Sequence, residues 1–173
     1  MKQIFKFFGL AIVMIAFSAN TFAQVTASAT ATATVVTPIT ITRTIDMNFG
    51  NLYVSTLSGG TVVLAPNSTR TVTGGVGLPA VAGTVTAASF TITGTTAATY
   101  AITLPAGATT ITHTTLPLNT MTVTTWTSNP GGTGTLTGGS EILTVGATLN
   151  VAAGQVTGTY VSGTPFDVTV NYN

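Results

Sequence analysis

Phe166-Asp167-Val168-Thr169-Val170-Asn171-Tyr172-Asn173 ends the chain, and the order of its side chains decides the fold. On an extended backbone Phe166, Val168, Val170 and Tyr172 share one face, while Asp167, Thr169, Asn171 and Asn173 share the other. Alternation with period two marks a strand with one buried side. Each apolar side chain so buried contributes about 1.5–3 kcal/mol before conformational entropy is charged. We therefore take Phe166, Val168, Val170 and Tyr172 as the core face of the last strand.

The same period runs back through residues 60–65, 85–93, 99–104, 121–127 and 142–151, and nothing after Gln24 has the 3.6-residue period of a helix. Threonine, the commonest residue, suits this pattern. It is β-branched and stiff at χ1, and its hydroxyl keeps an outer face polar without charge. Turn signals separate the runs: Pro66-Asn67-Ser68, Gly74-Gly75, Pro105-Ala106-Gly107, Asn129-Pro130-Gly131-Gly132 and Gly138-Gly139. Strands at this spacing predict an all-β fold, a single antiparallel Ig-like or pilin-like β-sandwich with an alternating N-terminal strand or extension. About 150 residues can bury close to 70% of their unfolded surface, enough for one core without disulfides. The aromatic residues lie mostly in strand-like runs, so core packing is expected of them. The alternative is a carbohydrate-stacking platform at Trp126 or Tyr160.

A segment of different character precedes the strands. Lys2 and Lys6 lead an apolar run from Phe7 to Phe17, and Thr21 and Ala23 are the small residues a signal peptidase needs to cut before Gln24. That run of about 11 residues falls short of the roughly 20 in a spanning helix, so a cleaved signal peptide is expected, not a membrane anchor. The expected divisions are a signal peptide at 1–23, an alternating segment at 24–36 and a sandwich domain at 37–173. Export would carry the protein through the periplasm to the cell surface or beyond.

The chain of 173 residues holds four Lys or Arg, three Asp or Glu, one His and no Cys. Removing Lys2 and Lys6 leaves Arg43 and Arg70 against Asp46, Glu141 and Asp167, a net charge of −1. Nucleic acid would find no basic surface on such a chain. Without sulfur from Cys there is no thiolate metal site, disulfide or thiol nucleophile.

The segment Gln24-Val25-Thr26-Ala27-Ser28-Ala29-Thr30-Ala31-Thr32-Ala33-Thr34-Val35-Val36 alternates strictly, and the phase resumes at Ile39 and Ile41 after Thr37-Pro38. Extended, it spans about 40 Å. Three readings compete. A flexible linker would not need Val25, Ala27, Ala29, Ala31, Ala33 and Val35 in phase. An ordinary first strand of the protein's own sandwich is the second, although an alanine face buries little area and Pro38 confines the segment to an edge or a break. The third is a donor strand that completes a neighbouring subunit's sheet, with backbone bonds supplying affinity and small side chains entering a narrow cleft.

The residues that carry a resemblance are Val35-Val36-Thr37-Pro38-Ile39-Thr40-Ile41, Asp46-Met47-Asn48-Phe49-Gly50-Asn51, Ala87-Ala88-Ser89-Phe90-Thr91-Ile92-Thr93-Gly94 and Val168-Thr169-Val170-Asn171-Tyr172-Asn173. With the alternating start, they resemble the bacterial domain-of-unknown-function 4402 family, which carries no firm activity. The layout is also similar to spore-coat-U-type pilins of the archaic chaperone–usher pathway, through the extension, Phe49-Gly50 and the terminal Tyr172. Such pilins usually place a Cys after the extension, and here Pro38 to Ile41 occupies that region. This second resemblance implies assembly by strand addition, self-association or pairing with related subunits, and a periplasmic chaperone and outer-membrane usher as partners.

No catalytic, cofactor-binding or metal-binding constellation is legible. His113 stands alone between threonines and reads as a surface strand residue, since a general base needs an orienting partner. Gly-x-Ser-x-Gly, His-Glu-x-x-His and phosphate-cradling glycine loops are absent. The expectation is a non-enzymatic structural subunit of a bacterial surface fibre or pilus-like assembly, donating Val25, Ala27, Ala29, Ala31, Ala33 and Val35. The alternative is a monomeric secreted or surface-exposed binding module for glycans or matrix. A small outer-membrane barrel is disfavoured by few, dispersed aromatics and threonine-rich faces, so the protein is not expected to be membrane-embedded.

Overall fold

A computed structural model describes residues 24–173. The expected signal peptide lies outside the described residues. Two units part between Val35 and Val36. In the first, residues 24–35 adopt no strand and every side chain is exposed, Val25 at 92% and Val35 at 97%.

The second unit is all-β and sandwich-like. Its first strands are β1 (Thr40–Ile45), β2 (Tyr53–Val54), β3 (Gly60–Leu64), β4 (Arg70–Gly74), β5 (Val76–Gly77), β6 (Ala88–Thr93) and β7 (Thr99–Thr103). There follow β8 (Thr109–His113), β9 (Thr120–Asn129), β10 (Thr133–Thr135), β11 (Ser140–Val151), β12 (Tyr160–Ser162) and β13 (Thr169–Tyr172). The alternating runs at 60–65, 85–93, 99–104, 121–127 and 142–151 each hold a strand here, whereas the alternating residues 24–36 do not. The expected turn Pro66-Asn67-Ser68 joins β3 to β4, where Asn67 Oδ1 accepts the Thr69 N–H and hydroxyl.

A wide antiparallel sheet runs β1-β6-β11-β9-β8-β12, and β3 joins it on β11 and carries β4. Two small sheets, β10-β7-β13 and β2-β5, accompany it. The organising element is β11. Ser140–Val145 pair with β6 and Ala147–Val151 with β3, while β9 pairs with residues 144–150 along the opposite edge. Gly146 stands where one partner gives way to the other. A Cβ there would collide with the Leu64 carbonyl oxygen, so the crossing admits only glycine.

Two core clusters result. One gathers Phe90, Ile92, Tyr100, Leu143, Val145 and Val170, and the other Val62, Val76, Val123, Ala147, Leu149 and Val151. Met47 and Trp126 touch both. Along the C-terminal run Val170 is buried, and Phe166, Val168 and Tyr172 pack half-buried against the first cluster. Only Thr169–Tyr172 form a ladder, with β7.

The fully buried Tyr100 donates its hydroxyl to Glu141 Oε2 at 2.8 Å, and the same oxygen accepts the Thr135 N–H at 2.8 Å. Burial first, then the Glu141 hydrogen bond and charge, push the Tyr100 phenol above the ordinary tyrosine range. A phenol with a raised folded pKa stabilises the fold fully below about pH 10 and loses that contribution as pH rises further. Urea denaturation should therefore show stability falling above pH 10, and Tyr100→Phe should flatten that slope while costing about 1–3 kcal/mol at neutral pH. Gly146→Ala should cost about 1–3 kcal/mol by overpacking, whereas Gly107→Ala, with nothing within 4 Å, should stay within about 0.5 kcal/mol of the parent.

Candidate functional site

The inner face of the wide sheet is left partly uncovered. Phe90 from β6, Leu149 from β11, Met121 and Val123 from β9 and Ile111 from β8 form the floor of an open groove of about 960 Å³. This lies at the upper end of ligand-site volumes, about 300–1,000 Å³. The floor is apolar because these are the inward positions of alternating strands.

Leu52, Tyr53 and Val54 rise along one side, carried by the Asn48-Phe49-Gly50-Asn51 turn. Asn48 Oδ1 accepts the Gly50 N–H at 2.8 Å, and Gly50 takes φ +68, where a Cβ would press on the Ala82 carbonyl and Val85. Arg70 Nη1 donates to the carbonyls of Phe49 and Asn51, pinning the turn from β4. Pro165 and Phe166 also line it, with the Trp126 ring tilted against Phe166 at a centroid distance of 4.5 Å. Residues 164–168 take part in no backbone–backbone hydrogen bond among the described residues, and β13 has β7 as its only ladder partner. The groove is thus flanked by backbone with unused donors and acceptors.

Trp126 reaches this place through a bulge. Thr124 pairs with Thr148 and Thr127 with Gly146, so Thr125 and Trp126 together face Ala147. Thr125 takes φ 51, and the alternation changes phase. Met121 and Val123 point inward, and after the bulge Trp126 does too, which strict alternation would have turned outward. Its Nε1–H donates to the Gly107 carbonyl at 3.1 Å.

His113 corrects the sequence reading. It is 6% exposed, not a surface residue. Its Nδ1 accepts the N–H groups of Thr115 and Leu116, both at 3.1 Å. Nε2 lies 3.0 Å from the Thr157 carbonyl, which can only accept, so the proton sits on Nε2. The ring also meets Tyr160 edge-on at 5.0 Å, and Tyr160 donates to the Val156 carbonyl at 2.7 Å. Together they hold residues 155–160, the end wall of the groove.

Arg43 and Asp46 are the charged residues on the lining, and they pair with each other at 2.6 Å. Both are well exposed, so the pair adds little stability and leaves the rim electrically neutral. No group of three or more His, Asp or Glu able to hold a metal occurs among the described residues, and no described helix is long and apolar enough to cross a membrane. What the site offers is apolar surface, aromatic rims and unpaired backbone.

Of the residues singled out in sequence, Trp126, Tyr160 and Phe166 meet at this groove. Val168, Val170 and Tyr172 belong to the first core cluster, and Val25, Ala27, Ala29, Ala31, Ala33 and Val35 are exposed in the other unit. The floor residues Met121, Val123 and Ile111 escaped notice as a site because they read as ordinary core positions. His113→Ala should leave the Thr157 carbonyl and two amides without partners. It should cost about 2–4 kcal/mol in chemical denaturation and speed proteolysis within residues 155–160.

No curated protein and no solved structure matches the chain. A family model does, the one described as Domain of unknown function (DUF4402), over residues 39–172. The match takes in nearly the whole sandwich and begins just past the alternating segment, and by it the chain belongs to the DUF4402 family.

Proposed function

We propose that this protein is a non-enzymatic structural subunit of a bacterial surface fibre or pilus-like assembly, built by β-strand addition. Residues 24–36 of one copy enter the groove of the next. The observation that carries this reading is the pairing, in one chain, of an exposed alternating segment outside any strand with a sandwich open over an apolar floor. An extended chain the size of residues 24–35 exposes about 1,600 Å². Burying half of it supplies about 800 Å² per partner, the size of a stable interface. The Ala and Val row suits a groove already crowded by Phe166 and Trp126, and the segment is uncharged like the rim it would meet.

Export through residues 1–23 belongs to this proposal, because cleavage before Gln24 would make the segment the new N-terminus. Self-association or pairing with related subunits follows, with a periplasmic chaperone covering the groove in transit and an outer-membrane usher directing assembly. Absence of lysine from the strand edges also fits, since edges meant to pair need no charged gatekeepers. A second reading, a monomeric module binding glycans or matrix at the cell surface, is favoured by the meeting of Trp126, Tyr160 and Phe166 on one groove.

Cells producing the full protein should display filaments and a heat-resistant ladder of multimers. Deleting residues 24–36, or placing Asp at Ala29 and Ala31 in the full chain, should abolish both. Filaments that persist in these variants, with glycan binding lost in Trp126→Ala, would replace the fibre reading with the binding module.

A further inference from the structure

Thr37 stands where the alternating segment gives way to the sandwich. Its carbonyl oxygen accepts the Tyr172 hydroxyl at 2.8 Å and the Thr95 hydroxyl at 3.2 Å. The same Tyr172 oxygen accepts the Thr95 N–H at 2.7 Å. Three points far apart in sequence, 37, 95 and 172, are thus closed into one ring of hydrogen bonds. The Tyr172 hydroxyl gives its only proton and takes one in return. Gly94 makes room for it: a Cβ there would strike the hydroxyl oxygen. The ring of Tyr172 packs on the first core cluster, so the hydroxyl is held from behind.

The geometry points to Tyr172 as a positioning residue that fixes the root of the N-terminal segment at Thr37. The ladder between β1 and β6 begins only at Thr40, opposite Thr93. Pro38 has no N–H to bond and Thr37 would otherwise be tied by the Thr95 hydroxyl alone. With the clamp closed, the chain is held from Thr37 onward. With it open, Thr37 and Pro38 join the alternating segment, about 7 Å of added slack before Ile39, which packs on the first core cluster. A strand presented from a fixed root loses less conformational freedom on pairing than one presented from a loose root. The link to assembly rests on the proposed fibre function, whereas the clamp itself rests on the three bonds.

The chain has no Cys, so a nitroxide can be placed at a single engineered site in the full protein. In Tyr172→Phe, which keeps the ring and removes the hydroxyl, the Thr95 amide should exchange at least tenfold faster while the amides of Leu143 and Val145 stay unchanged. A label on Val35→Cys should gain mobility and one on Val25→Cys should not. Multimer ladders should form at least threefold more slowly. Thr95→Val, which loses only the hydroxyl bond to Thr37, should shift the Val35 label in the same direction by less, and it serves if Tyr172→Phe folds poorly. Unchanged exchange and label mobility would overturn the clamp. A released clamp with ladder formation at the parental rate would overturn its positioning role. If the full chain with Asp at Ala29 and Ala31 still polymerises, the fibre reading falls, and exchange and label mobility alone judge the clamp.

Discussion

Every ladder of the wide sheet hangs on β11. β1 reaches it through β6, β4 through β3, and β8 and β12 through β9. A strand of twelve residues can serve three partners because it is long enough to hand one edge from β6 to β3 part-way along. That transfer is possible only at Gly146, where the Leu64 backbone comes too close for any side chain. Inward residues on either side of the glycine then fall into different clusters, Leu143 and Val145 in one, Ala147 and Leu149 in the other. The double core follows from this one crossing, and the groove lies where Met47 and Trp126 bridge the two halves.

With so few charges, the outer faces are held in another way. Thr40 meets Thr93 and Thr61 meets Thr73 across neighbouring strands, each pair joined by hydroxyls at 2.7 Å. Such cross-strand pairs stabilise by a few tenths of a kcal/mol to about 1 kcal/mol each, comparable to an exposed ion pair and insensitive to salt. Several ionisable groups serve as struts. Glu141 ties Tyr100 to β10, Arg70 ties β4 to the Asn48–Asn51 turn, and His113 ties β8 to the loop before β12. Their polar atoms hold backbone and neighbouring side chains in place, and none of these side chains lines the groove.

A sandwich whose second layer consists of small sheets carries exposed backbone edges that a complete layer would bury. In the proposed fibre those edges are satisfied by another copy, and the cost of leaving them open falls on the unassembled subunit. The Tyr172 clamp joins the end of the chain to the beginning of the sandwich, so the last strand and the root of the proposed donor are set by the same side chain.

Much was legible without coordinates because period-two alternation is a local steric property. Residues 166–172 had one possible inner face, the runs within residues 60–151 read as strands, and family membership was readable from short motifs such as Asp46–Asn51. Other features depended on distant partners. β2, β5, β10 and β12 are two or three residues long, too short to carry a period. His113 reads as exposed among threonines, yet Thr157, 44 residues away, closes over it. Trp126 faces the groove only because its strand must slip past Ala147 to keep register with β11. Alternation states which side chains share a face, but which face is covered, and where the cover stops, depends on contacts the chain makes only once it has folded.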